Sequence, residues 1–143
     1  MPNNALFIDT WGWTAIANRD EPRRDEVLRY YRETRKKQIR IYTSDYVLDE
    51  FITLLFRRET YSHATQFVED LLATATGGLP IVERVTTERF LAAWELRKRY
   101  QDKPRISFTD LTSMVIMTEL GVEQVLTEDE HFTHVGLGLT KVP

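Results

Sequence analysis

The chain has no cysteine, so it can form neither a disulfide nor a thiolate metal site, and it suits a reducing compartment. It has no apolar run long enough to span a bilayer, and its first residues, MPNNALFID, lack the basic and long apolar parts of a secretory signal. These absences predict a cytoplasmic protein with no membrane attachment. It also lacks internal repeats, low-complexity tracts and linkers, which predicts one domain over residues 1–143. A further absence is local. No lysine or arginine occurs between Arg105 and Lys141.

What is present is ordinary for a folded domain. The chain has 143 residues, 42% apolar and 29% charged, and a chain of this size buries roughly 68% of its unfolded surface. The net charge of −3 hides an uneven distribution. Residues 19–40 carry nine basic side chains against five acids, a mixture typical of a solvated helix face. Residues 97–105 carry five (Arg97, Lys98, Arg99, Lys103, Arg105) against Asp102. From Glu119 to Glu130 there are five acids and no base. The basic cluster stands immediately before the acidic stretch, where Arg97, Arg99, Lys103 and Arg105 can hold a phosphate backbone.

Residues 4–9, NALFID, form an apolar run without alternation, the pattern of a central strand buried on both faces. Further strands are expected at 39–43, 80–83, 123–126 and 137–142, the last at an edge. Between them lie helical patterns: a turn from Trp11 to Asn18, a helix from Pro22 to Lys37, and a helix from Ser44 to Arg58. The next runs from Thr60 to Ala75, with a stripe of Ala64, Phe67, Val68, Leu71, Leu72 and Ala75. Another opens at Thr86 or Thr87 with Phe90, Ala93, Trp94, Arg97 and Tyr100 on one side, and a last helix lies between Ser107 and Gly121. Strands alternating with helices, too far apart for hairpins, give an α/β fold: a central, mostly parallel sheet with helices on both faces.

In such sheets ligands bind outside the carboxyl ends of the strands. Asp9 ends the first strand, Glu50 lies in the second turn of the helix after the second, and Asp110 lies in the first turn of its helix. Asp129 follows the fourth strand. Four acids separated in sequence therefore map to one sheet edge. Two carboxylates at roughly 5 Å and an effective dielectric near 20 repel by about 3 kcal/mol, so a site that keeps them ionised requires cations. An all-oxygen ligand set favours Mg²⁺ or Mn²⁺, ions suited to phosphoryl chemistry.

Each acid also has an ordinary structural reading. Asp110 is the fourth residue of a capping-box pattern that begins at Ser107, and Glu130 stands in the same relation to Thr127. Asp9 can cap a turn, and Glu50 can pair with an arginine. All four readings holding together is the less economical account. Trp11 and Trp13 can stack on bases or fill the core, the commoner role beside a first strand. His131 and His134 share a helical face but lack a third nitrogen or thiolate partner for zinc, and they are read, with His63, as surface residues.

The ordered set FIDT, SDYVLDEF, SFTD and LTEDEHF resembles the PIN-domain ribonucleases over essentially the whole chain, most closely the VapC-type toxins of toxin–antitoxin pairs. The resemblance implies a single PIN-like domain in which Asp9, Glu50, Asp110 and Asp129 surround divalent metal, catalysing hydrolysis of RNA. It implies that Thr10, Ser107 and Thr127 are the accompanying hydroxyls and that Phe132 closes the last motif. It further implies a cognate antitoxin partner and a homodimer. The flanking Glu128 and Glu130 make the local field more acidic than the pattern requires. A catalytically silent PIN-like module binding RNA or protein is the alternative. Haloacid-dehalogenase-like or receiver-like phosphoryl-transfer domains are a further one. The first of those needs an aspartate where Trp11 stands, and the second needs paired acids that are absent here.

Overall fold

A computed structural model describes residues 4–143. The elements run β1 (Ala5–Ile8), α1 (Thr10–Ala17), α2 (Arg24–Lys36), β2 (Arg40–Ser44), α3 (Asp45–Arg58) and α4 (Tyr61–Thr76). They continue with β3 (Ile81–Glu83), α5 (Thr87–Arg99), α6 (Phe108–Leu120), β4 (Gln124–Leu126), α7 (His131–His134) and β5 (Thr140–Val142). The strands form one sheet of order β3-β2-β1-β4-β5, and every neighbouring pair is parallel. All five expected strands are present, so the parallel α/β architecture read from the sequence is correct.

The strand order locates the functional edge. From β1 the chain winds outward through β2 to β3, then returns to β4 on the other side of β1 and winds outward to β5. Such a reversal leaves a crevice beyond the carboxyl ends of the two strands that flank it, here β1 and β4. All four residues of β1 are buried, as its unbroken apolar run requires.

The chain turns from β1 into α1 without a loop. The Asp9 carboxylate caps α1 by accepting a hydrogen bond of 2.9 Å from the Gly12 amide. The helix can start this close to the sheet because residue 12 has no side chain. A Cβ there would lie 2.7 Å from the Leu126 carbonyl oxygen and 2.8 Å from Ile8 Cγ2. Gly12→Ala is therefore expected to cost about 1–3 kcal/mol by overpacking, read as a lower denaturant midpoint at unchanged slope. An unchanged midpoint would show that α1 can shift without penalty. At the far side, Ser107 caps α6 by accepting from the Asp110 amide at 3.0 Å, and Gly121 closes that helix at φ 72°.

Several expectations about packing change. Trp13 is 1% exposed and donates from Nε1 to Thr43 Oγ1 at 2.9 Å, which makes it core rather than a base-stacking residue. Trp11 is half-buried, with the Arg23 guanidinium 5.3 Å from its ring. Along α4 only Ala64 and Leu71 of the expected stripe are buried, and of the α5 stripe only Ala93 and, at the helix end, Tyr100. Phe56, Tyr61, Leu72, Phe90, Leu91 and Trp94 are exposed instead. His63 is not a free surface residue. Its Nε2 lies 2.9 Å from the Ala17 carbonyl, next to Glu59, which also takes two hydrogen bonds from the Arg19 side chain. That group of contacts ties the end of α1 to the α3–α4 junction.

Candidate functional site

The crevice is a cleft of about 310 Å³ that brings together side chains from four parts of the chain. Asp9 and Thr10 come from the β1–α1 junction, Glu50, Leu54 and Arg58 from α3, Arg105, Ser107 and Asp110 from the entry to α6, and Asp129 from the segment after β4. All four acids singled out in the sequence line this one cleft. Carboxylate oxygens of Asp110 and Asp129 and a ring nitrogen of His131 lie within 4.8 Å of one another. Asp9 and Glu50 line the same cleft without joining that tight group.

The electrostatics are those of uncompensated negative charge. Burial pushes the Asp9 carboxyl up to about 7, opposed by hydrogen bonds from the Thr127 side chain and the Gly12 amide and assisted by Asp129 and Glu50. Asp110 is pushed up to about 8, first by burial and then by the Asp9 charge, with a hydrogen bond to Asp129 holding its protonated form. The ordinary structural readings account for little of this. Asp9 does cap α1, but Asp110 does not reach back to the Ser107 amide, and no arginine pairs with Glu50 among the described residues. Glu128 faces Arg23 at 3.7 Å and Glu130 pairs with Lys141. Asp129 is thus the acid of its trio that turns to the cleft. Its Oδ1 accepts from the His131 amide at 2.9 Å, and its own amide donates to Thr127 Oγ1 at 3.0 Å.

The donor set suits a hard divalent cation. It is all oxygen apart from His131, and Thr10, a residue only 7% exposed, adds a buried hydroxyl with no hydrogen-bond partner among the described residues. His131 lies closer to this group than expected of a surface residue: it is half-buried, and its Nδ1 stands 3.0 Å from Asp129 Oδ1. His134 is exposed, as expected.

The basic residues divide. Arg105 lines the cleft. The Arg97 guanidinium instead donates to the carbonyls of Tyr100, Lys103 and Ile106 at 2.7–2.8 Å, so its hydrogen bonding is committed within the chain. Lys103 pairs with Asp102 at 2.8 Å, and Arg99 borders a separate depression between α5 and α6. Sequence reasoning missed Arg58. The available signal was its spacing from Glu50 and Leu54, each four residues apart along one face of α3.

A parallel sheet with this strand order, and carboxylates gathered at its reversal point, defines an α/β protein with an acidic active-site edge. A family model for the PIN domain matches residues 6–137, and the chain belongs to that family. It is 31% identical over 131 residues to the 23S rRNA-specific endonuclease VapC20 of Mycobacterium tuberculosis, in both strain CDC 1551 and strain H37Rv. That alignment covers 92% of this chain and 94% of the relative. The crystal structure of M. tuberculosis VapC20, titled a sarcin-ricin loop cleaving toxin, superposes with a TM-score of 0.75 at 30% identity, over 92% of this chain and 95% of that one.

Proposed function

We propose that the protein is a divalent-metal-dependent endoribonuclease, the toxin of a toxin–antitoxin pair. The observation that carries this reading is the convergence of Asp9, Glu50, Asp110 and Asp129 on one cleft, with two of them pushed into the neutral range. Those four acids would hold Mg²⁺ or Mn²⁺, which supplies Lewis acidity toward a phosphodiester and lowers the pKa of a bound water. The rest falls to the chain's own groups. Thr127 orients Asp9 through its hydroxyl, and Ser107 fixes Asp110 at the helix start. The Thr10 hydroxyl offers a further oxygen at the floor. Arg105 contributes the cation at the rim that receives the RNA backbone.

The VapC20 relatives support RNA as substrate and make ribosomal RNA the first one to test. They support an antitoxin partner as well. The exposed apolar side chains on α3–α4 (Phe56, Tyr61, Leu72) and α5 (Phe90, Leu91, Trp94) offer surface for that partner and for a second copy of the chain in a homodimer. Such an enzyme works in the cytoplasm, and no helix among the described residues is long and apolar enough to cross a membrane. Purified protein is expected to cleave RNA with added Mg²⁺ or Mn²⁺, and excess chelator should abolish cleavage reversibly. Undiminished cleavage in chelator would overturn the metal-dependent reading.

A further inference from the structure

Resting on the RNA-cleavage reading, we infer that Arg58 is a second backbone anchor, gripping an RNA phosphate more than one nucleotide away from the scissile one. Arg58 lines the acidic cleft with Arg105, yet no charged group among the described residues pairs with it. Arg105 likewise forms no ion pair among the described residues. The nearest acid in sequence, Glu59, is held by Arg19 and is beside His63. Two unpaired guanidiniums therefore border a site that four carboxylates would make repellent to a polyanion.

The position of Arg58 on α3 sets the spacing. Glu50, Leu54 and Arg58 line the same cleft along one face, and eight residues of helix rise about 12 Å. That separation of their backbone positions exceeds the gap between adjacent phosphates of an extended single strand. A strand with its scissile phosphate at the carboxylates thus meets Arg58 further along. Leu54, between them, is apolar and carries no charge to contact the intervening phosphate. Arg105 comes from a different element, two residues before Ser107, the cap of α6, so the two cations reach the cleft from separate parts of the chain. The last turn of a helix also favours a cation, which suits Arg58 in its exposed position.

The test pairs Arg58→Ala with oligoribonucleotides carrying one neutral methylphosphonate, moved along the strand one linkage at a time. Wild type should lose about tenfold in kcat/KM when the neutral linkage falls beyond the phosphate next to the scissile one, and Arg58→Ala should lose the same on the unmodified strand. Combining the two should add nothing further, the sign of a shared contact. Arg58→Lys should recover part of the loss, because charge survives and the planar fork does not. Melting temperature and Mg²⁺ affinity should not move. Additive losses at every linkage, or no loss in Arg58→Ala, would overturn the assignment while leaving the nuclease reading intact. Binding to the same strands, followed by anisotropy for wild type and Arg58→Ala held in chelator, separates the failures. If the salt slope falls by about 0.7 in Arg58→Ala but no metal supports cleavage, the anchor stands and the nuclease reading falls.

Discussion

Asp110→Asn is expected to make the metal-free protein more stable, and increasingly so as pH rises. The Asp110 carboxyl is pushed from 3.8 up to about 8 on folding, by burial first and then by Asp9 and Asp129. The folded protein therefore binds this proton more tightly than the unfolded chain does. The penalty is absent below about pH 4, grows as the pH rises toward about 8, and is complete above it. An asparagine carries no charge, and its amide can still donate toward Asp129, replacing the hydrogen bond of the protonated acid. In chelator near pH 5 the two proteins should melt within a few degrees of each other. Near pH 9 the variant should be more stable by about 3 kcal/mol, after allowance for neighbouring acids that share the same repulsion. That corresponds to roughly 10 °C in Tm for a domain of this size. Mg²⁺ at a thousandfold excess over Kd should reverse the order, since only the wild type gains about 4.1 kcal/mol there. A variant that melts below wild type in chelator at pH 9, and still gains fully from Mg²⁺, would make Asp110 a purely structural residue.

Asp9→Asn is expected to separate folding from chemistry. Asp9 has two duties: it caps α1 through the Gly12 amide, and it faces the cleft. Asparagine caps a helix about as well as aspartate, so the fold should be retained, with a melting temperature in chelator at or above wild type. Cleavage should collapse. Lewis-acid stabilisation is worth several kcal/mol, and each 1.36 kcal/mol is tenfold in rate, so emptying the site should lower kcat/KM by about a thousandfold. The wild-type rate should rise with pH through about 7 to 8, because metal competes with the protons on Asp9 and Asp110. The variant's residual rate should lack the step due to Asp9. Cleavage within tenfold of wild type in folded Asp9→Asn would remove Asp9 from the metal site.

Much of this architecture is legible in the sequence because the rules involved are local. NALFID announces a strand buried on both faces, Ser107 and Gly121 mark both ends of α6, and the helices between strands force parallel pairing. Once the pairing is parallel, the acids after β1 and β4 must share an edge. What stayed hidden depends on side-chain direction. Arg97 falls in a basic cluster, but its hydrogen bonds go to three carbonyls of the chain that follows it. Arg58 lies among mixed charges at a helix end, and only the cleft shows it facing the acids with no ion-pair partner among the described residues. The apolar stripes of α4 and α5 overstate burial, since Leu72, Phe90 and Trp94 remain exposed. Periodicity identifies the face of a helix that is apolar. It does not say whether this chain or another molecule covers it.

The three carbonyls held by Arg97 have a consequence for how substrate arrives. Residues 100–106 join α5 to α6 and carry Arg105 and the approach to Ser107, and a connection of this kind would ordinarily be mobile. Here the guanidinium gathers its main chain from within, so the rim of the cleft takes its shape during folding. An incoming strand need not order this segment, and the conformational entropy of doing so does not subtract from its affinity. Association should then follow the diffusive, salt-dependent encounter of two charged surfaces, in a single kinetic phase, with no slow rearrangement of the rim behind it.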